Sequence, residues 1–220
     1  QKYILSFEKP MPIIDDFFSP TSCQLALWNI DESTDELVRN ISLSSGQRHE
    51  LSLRKTEGAK KGFLAVRLAL KSLGISLNDL SFNAKGEPQL SNAFCSLSHC
   101  KEYAIAVVGD APLGIDVESY REQIVRIAPK FVHLNEQNFI SSDKAIPQLT
   151  RLWTAKEAIY KAMCHPGLAL ATQIEVAPFT LSDTSGSASV YLADKQLFFS
   201  LQFSTFNEHE FTLAQLTPNQ

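Results

Sequence analysis

Two carboxylates, Asp116 and Glu118, stand two positions apart in "GIDVES" (114 to 119), a run whose other members read as a buried strand. On a strand, residues i and i+2 leave the same face about 6.5 to 7 Å apart, so the pair presents two negative charges side by side. Such a pair lies either on a solvated edge or against a cation. With no His or Cys in the motif, that cation would be a hard divalent ion, Mg2+ or Mn2+. Glu157 is a natural third ligand. In "PQLTRLWTAKEAIYKAM" (147 to 163), Trp153, Glu157 and Lys161 are four apart and form one helix ridge. Taken alone, Glu157 and Lys161 are an ordinary i,i+4 surface pair. His99 in "SLSHC" reads by itself as a hydrogen-bonded loop histidine, and Arg48, Arg54, Lys55, Lys60, Lys61 and Arg67 read as a solvated basic face. The four cysteines, Cys23, Cys95, Cys100 and Cys164, lack C-x-x-C spacing. Cys95, His99 and Cys100 together fit no common zinc pattern, so reduced structural thiols are expected.

The elements that must position these groups can be read in outline. Apolar residues at helical spacing from Thr56 to Leu73, closed by Gly74, predict a helix. Leu149, Leu152, Ile159 and Met163 predict another over 147–163, with the acidic and basic ridge beside its apolar stripe. "YAIAVVG" and "LGIDVE" predict two strands joined tightly through "DAP". Between them and the ridge helix, 121–140 reads as helical, broken near Pro129 and restarted with Asn135 as a cap. After Gly167, "ASVYLA", "QLFFSLQFS" and "EFTLAQL" alternate as a half-buried antiparallel sheet does. Before residue 50 only a strand at "QLALWNI" (24 to 30) is visible.

Composition bounds the partners. A chain of 220 residues, 44% hydrophobic, can build a substantial core. Against 24 acidic residues it has 20 Lys and Arg, a formal charge of -4, so a broad grip on nucleic acid or anionic lipid is not expected and phosphate binding must be local. No apolar run approaches the ~20 residues of a membrane span. The start "QKYILSFEKP" lacks a basic segment followed by an apolar core, and the expected location is cytoplasmic.

The order and wording of these signals resemble one family. "GIDVE", followed some 35 residues later by "WTAKEAIYKA" and preceded by "GEP" and "SLSH", resembles the 4'-phosphopantetheinyl transferases of the large, monomeric type, over about residues 48 to 168. "KFVHLNEQNF" (130 to 139) looks like the aromatic and Glu segment between the two diagnostic motifs. The resemblance implies transfer of 4'-phosphopantetheine from coenzyme A to a serine of an apo acyl or peptidyl carrier protein of fatty-acid, polyketide or nonribosomal-peptide synthesis, Mg2+-dependent, with release of 3',5'-ADP. By it, Asp116, Glu118 and Glu157 would hold Mg2+, and Glu157 would be placed to accept the serine proton. Lys161 and Lys156 would be the motif lysines acting in catalysis. Ser98 and His99 would contact the coenzyme phosphates, and Arg48, Arg67, Lys85, Gly86 and Pro88 would complete the coenzyme site. Glu87 stands where the family has a phosphate-facing Lys. The implied fold is α/β, of the α+β kind, in two similar halves of helices on small antiparallel sheets, 1–112 and 113–220, with the site in the cleft between them. A Mg2+-dependent phosphodiesterase or nuclease, and a non-enzymatic interaction module, are the alternatives.

Overall fold

The computed structural model describes residues 23–218. Its first elements are β1 (Cys23–Asn29), α1 (Thr34–Arg39), α2 (Ser45–Ser52), α3 (Glu57–Ser72), β2 (Ser81–Phe82), β3 (Pro88–Gln89), β4 (Phe94–His99) and β5 (Tyr103–Gly109). Then follow β6 (Leu113–Ser119), α4 (Gln123–Ile127), α5 (Ala145–Met163), α6 (Leu170–Gln173), β7 (Ile174–Val176), β8 (Ser185–Tyr191), β9 (Gln196–Phe206) and β10 (His209–Leu216). Helices pack on antiparallel sheets, an α+β fold: one sheet has the order β1-β5-β4, a second β6-β10-β9-β8-β7, and β2 with β3 form a small hairpin. Among the described residues no helix is long and apolar enough to cross a membrane.

All of β5 is buried because it is the central strand of its sheet, with α3 laid against it. Thr56 caps the start of α3, its hydroxyl accepting from Ala59 N, and Gly74 follows its end at φ +80°, a conformation that costs glycine little. In the larger sheet, Phe199, Leu201 and Phe203 of β9 turn inward and pack with Leu152 and Ile159 of α5, the alternation that the sequence predicts. Two short helices lie where the sequence shows no clear apolar periodicity. Ser33 and Glu36 form a capping box on α1, and Ser44 and Gln47 another on α2. The segment 121–140 is broken as expected, into α4, a 3-10 turn holding Pro129 and a 3-10 helix over 134–139. Its cap is not Asn135 but His133, because the Glu136 carboxylate returns to His133 N and the imidazole Nδ1 accepts from Asn135 N.

The strands on either side of "DAP" are present but do not pair, since β5 belongs to the first sheet and β6 is an edge of the second. Their junction is made by side chains. On β4, the Ser96 and Ser98 hydroxyls accept from Ile115 N (3.1 Å) and Val117 N (3.3 Å), so amides on the free edge of β6 are satisfied without a backbone ladder. From the other side α5 approaches β6 so closely that a Cβ on Gly114 would lie 1.9 Å from the Ala158 carbonyl oxygen. Only glycine admits that contact, which fixes the ridge of α5 over the acidic strand.

Candidate active site

Asp116 lies on β6 opposite Thr212, and Glu118 opposite Glu210, so both carboxylates share the face against which α5 packs. Asp116 is buried. Its Oδ1 accepts from Ser98 Oγ and from Lys161 Nζ, both at 2.7 Å, and Lys161 also donates to the Ile115 carbonyl. Its Oδ2 is buried and has no hydrogen-bond partner among the described residues. Glu118 is half-buried, paired with Arg121 and bonded to the Trp153 side chain. Trp153 and Lys161 therefore reach the two ends of the acidic strand, and Glu157 lies between them on the ridge.

The electrostatics show what the cluster lacks. Burial, and then the Asp116 charge, hold the Glu118 carboxyl above its ordinary range, against Arg121 and Lys161. Glu157 is pushed up to about 7 by burial and by the charges of Asp116 and Glu118, with Lys161 opposing. Glu210, across the ladder from Glu118, does not add to the excess, because the fully buried Arg151 neutralises it at 2.9 Å. An unmet buried acceptor costs about 1 to 3 kcal/mol, more when charged, and Asp116 Oδ2 is such an acceptor. An oxygen-only donor set of three carboxylates fits a hard divalent cation such as Mg2+ or Mn2+.

Lys156 is not brought to this cluster. Its ammonium is wholly buried against Glu136 (2.8 Å), donating also to the Leu170 and Ile174 carbonyls. None of its partners is an acidic-cluster residue, because one step along a helix turns the side chain by about 100° away from its neighbour Glu157. The Glu136 carboxylate in turn accepts from Val176 N and His133 N, so the pair ties α5 to β7 and to the 3-10 segment.

Beside the cluster is a cavity of about 220 Å³ lined by Arg54, Ala59, Phe63, Val66, Arg67, Phe82, Leu97, Ser98 and His99. The Arg67 guanidinium lies 3.4 Å over the Phe63 ring, donates to Phe63 O and pairs with Glu50, while its Nε is buried with no partner among the described residues. Burial pulls Arg67 down to about 10. The His99 ring rests on α3 at Gly62, where a Cβ would meet it at 2.4 Å. Desolvation of the ring, helped by Lys161 and Arg54, lowers its pKa, against the Cys100 backbone and Asp116. Ser98, which lines the cavity and bonds to Asp116, joins it to the acidic cluster.

The other expected coenzyme contacts are more widely placed, although Ser98 borders the same cavity and Phe82 brings the β2–β3 hairpin to its wall. Arg48 lines a separate depression with Val38, Ile41, Leu43 and Leu51. Ser98 turns its hydroxyl to Asp116, on the face of β4 opposite to His99. Lys85, Gly86 and Pro88 belong to the β2–β3 hairpin, where Gly86 takes φ +81°. Glu87 bonds to the Asn83 side chain and to Cys164 at the end of α5. Sequence reasoning missed Ser96 as a strand clamp and Arg151 as the neutraliser of Glu210. Arg151 carries one signal, a position within the helix turn before Trp153, but its partners lie 29 to 59 residues away.

Residues 112–215 match the family described as the 4'-phosphopantetheinyl transferase superfamily. The 4'-phosphopantetheinyl transferase gsp of Aneurinibacillus migulanus is 34% identical over 71 residues, 31% of this chain and 30% of that protein. The 4'-phosphopantetheinyl transferase ffp of Bacillus subtilis is 26% identical over 141 residues, 59% of this chain and 63% of that protein. Enterobactin synthase component D of Salmonella typhi is 34% identical over 73 residues, 31% of each chain. The match thus spans about a third to just under two thirds of the length of these relatives.

Proposed function

We propose that this chain, whose residues 112–215 belong to the 4'-phosphopantetheinyl transferase superfamily, moves 4'-phosphopantetheine from coenzyme A to a serine hydroxyl of an apo carrier protein and releases 3',5'-ADP. The observation that carries the reading is Asp116. One of its oxygens is held by Ser98 and Lys161, and the other is buried and has no hydrogen-bond partner among the described residues, beside carboxylates that already crowd negative charge. Asp116, Glu118 and Glu157 would hold Mg2+ there. When bound, that ion supplies charge neutralisation for the coenzyme pyrophosphate.

The chain's own residues supply the rest. Phosphoryl transfer depends mainly on positioning and on charge opposite the phosphoryl oxygens. Lys161, fixed by Asp116 and the Ile115 carbonyl, keeps its ammonium at the cluster and stabilises the departing oxygen of 3',5'-ADP. Glu157, which has neither the Ser98 clamp nor the Arg121 pair, accepts the proton of the carrier serine, directly or through water. Arg67, Arg54 and His99 line the adjoining cavity with positive or proton-donating groups and receive the coenzyme's remaining phosphate. Lys156 acts at a distance, as a positioning residue that holds α5 on β7.

The test is mass spectrometry of an apo carrier protein after incubation with the enzyme, coenzyme A and Mg2+. A gain of one phosphopantetheine is expected, absent with Asp116→Ala and after removal of divalent metal. No gain on carriers of either the fatty-acid or the peptide type would overturn the proposal.

A further inference from the structure

Away from the acidic cluster, the tips of two hairpins meet. The β4–β5 turn is closed by Cys100 N donating to the Tyr103 carbonyl, and it presents Cys100 and Glu102. The β9–β10 turn has Asn207 and Glu208 both at positive φ, 47° and 59°, as a two-residue hairpin connection requires, and it delivers His209 at the first position of β10. The Cys100 sulfur, a Glu102 carboxylate oxygen and a His209 ring nitrogen all lie within 4.8 Å of one another. We propose that Cys100, Glu102 and His209 form a zinc site, completed by water, that pins these two hairpin tips together.

The donor set decides the metal. A thiolate and an imidazole beside one carboxylate suit a borderline-soft ion such as Zn2+ and suit Mg2+ poorly, the reverse of the cluster around Asp116. The geometry is close to what the ion needs. Ligand distances of about 2.0 to 2.3 Å in a tetrahedron place ligand atoms about 3.3 to 3.6 Å apart. His209 Nε2 and Glu102 Oε2 are already at 3.2 Å. The thiol must come in by no more than the difference from 4.8 Å, which a rotation about its side-chain bond supplies.

The imidazole is also oriented for ligation. Its Nδ1 is bonded to the Asn207 carbonyl at 2.6 Å, which holds a proton on that nitrogen and turns Nε2, now paired with the Glu102 carboxylate, toward the place where a metal would replace the proton between them, the arrangement found behind metal-bound histidines. Tyr103 stands edge-on to the ring at 4.9 Å, and Asn207 donates to its hydroxyl, so the ring has little freedom to turn away. Access is open on one side, where Glu102 is half-exposed and Lys101 beside it is 90% exposed. No linear motif announces the site, since His209 lies 107 residues beyond Glu102.

The test uses the full chain, without a histidine tag, stripped of metal and titrated with Co2+ as a spectroscopic stand-in for zinc. One equivalent should produce thiolate-to-cobalt charge-transfer absorption and the visible bands of a tetrahedral ion. Zn2+ should bleach them, and millimolar Mg2+ should not. Cys100→Ser, a half-buried and nearly isosteric change, should lose the charge-transfer band. His209→Ala and Glu102→Gln should weaken binding at least tenfold. A variant with Cys23, Cys95 and Cys164 all changed to Ser should keep the band. For the parent, Zn2+ at a hundredfold excess over its dissociation constant should raise Tm by about 5 to 10 °C, and Cys100→Ser should show no such rise. A band that survives Cys100→Ser, a band that needs one of the other cysteines, or no band at one equivalent would each overturn the site. Because none of these readouts is phosphopantetheine transfer, the result stands apart from the fate of the proposed function.

Discussion

Lys156→Met separates the two uses a lysine can have on α5. In the structure its ammonium is fully buried and has three partners, the Glu136 carboxylate and the carbonyls of Leu170 and Ile174. Removing it leaves a buried carboxylate without its counter-charge and two carbonyls without a donor. Breaking a buried pair from one side costs about 3 to 5 kcal/mol. In a chain of this size each kcal/mol moves Tm by about 2 to 4 °C, so the variant should melt about 6 to 20 °C below the parent. Glu136→Gln in the same chain removes the stranded charge and keeps an oxygen for Val176 N, so the double variant should recover at least half of the loss. Turnover of apo carrier protein, measured well below the melting transition, should stay within a few-fold of the parent because no partner of Lys156 is in the acidic cluster. A rate lower by ~10² with Tm unchanged would refute the reasoning and return Lys156 to the chemistry.

Lys161→Met should behave in the opposite way, lowering kcat and kcat/KM together by ~10² or more in single-turnover transfer, with a loss in the thermal melt of only about 1 to 2 kcal/mol for its two hydrogen bonds. Mg2+ added to metal-free protein should raise Tm, and Asp116→Ala should abolish the rise in differential scanning calorimetry while the variant still folds. Gly114→Ala drives a Cβ into the Ala158 carbonyl, so it should cost about 3 kcal/mol or more in urea unfolding and lower activity by parting β6 from α5. His99→Ala should raise the KM for coenzyme A by roughly ten- to a hundredfold in initial-rate measurements, the cost of one charge-assisted contact.

How far the site could be read before the fold depends on the length scale of each signal. The ridge Trp153, Glu157 and Lys161 was legible because helical spacing is a local property, and the pair Asp116 and Glu118 because a strand alternates. The same locality misled at Lys156, whose adjacency to Glu157 in sequence suggests shared chemistry although the two leave the helix in different directions. Helices α1 and α2 went unread for a different reason. Their signals are the capping boxes at Ser33 and Ser44, whereas apolar periodicity is weak: α1 buries only Leu37, and α2 buries no residue. The division into two sheets had no local signal. Both β5 and β6 are β-rich runs with buried apolar residues, and the pairing of β6 with β10 joins residues 90 to 102 positions apart.

Ser98 and His99 show why neighbouring residues in a motif need not share a task. Successive strand residues point to opposite faces, so the dipeptide on β4 cannot offer both side chains to one phosphate in the way that two helix residues a turn apart could. The Ser98 hydroxyl accepts from Val117 N and donates to Asp116 Oδ1, which fixes the carboxylate in place. His99, one residue on, rests against Gly62 and lines the cavity where Arg67 is buried. One strand thus sets the acidic cluster with one face and the cavity wall with the other. Because Ser98 also borders that cavity, the cluster and the cavity meet at this strand, and its backbone rather than side-chain motion sets their relative position.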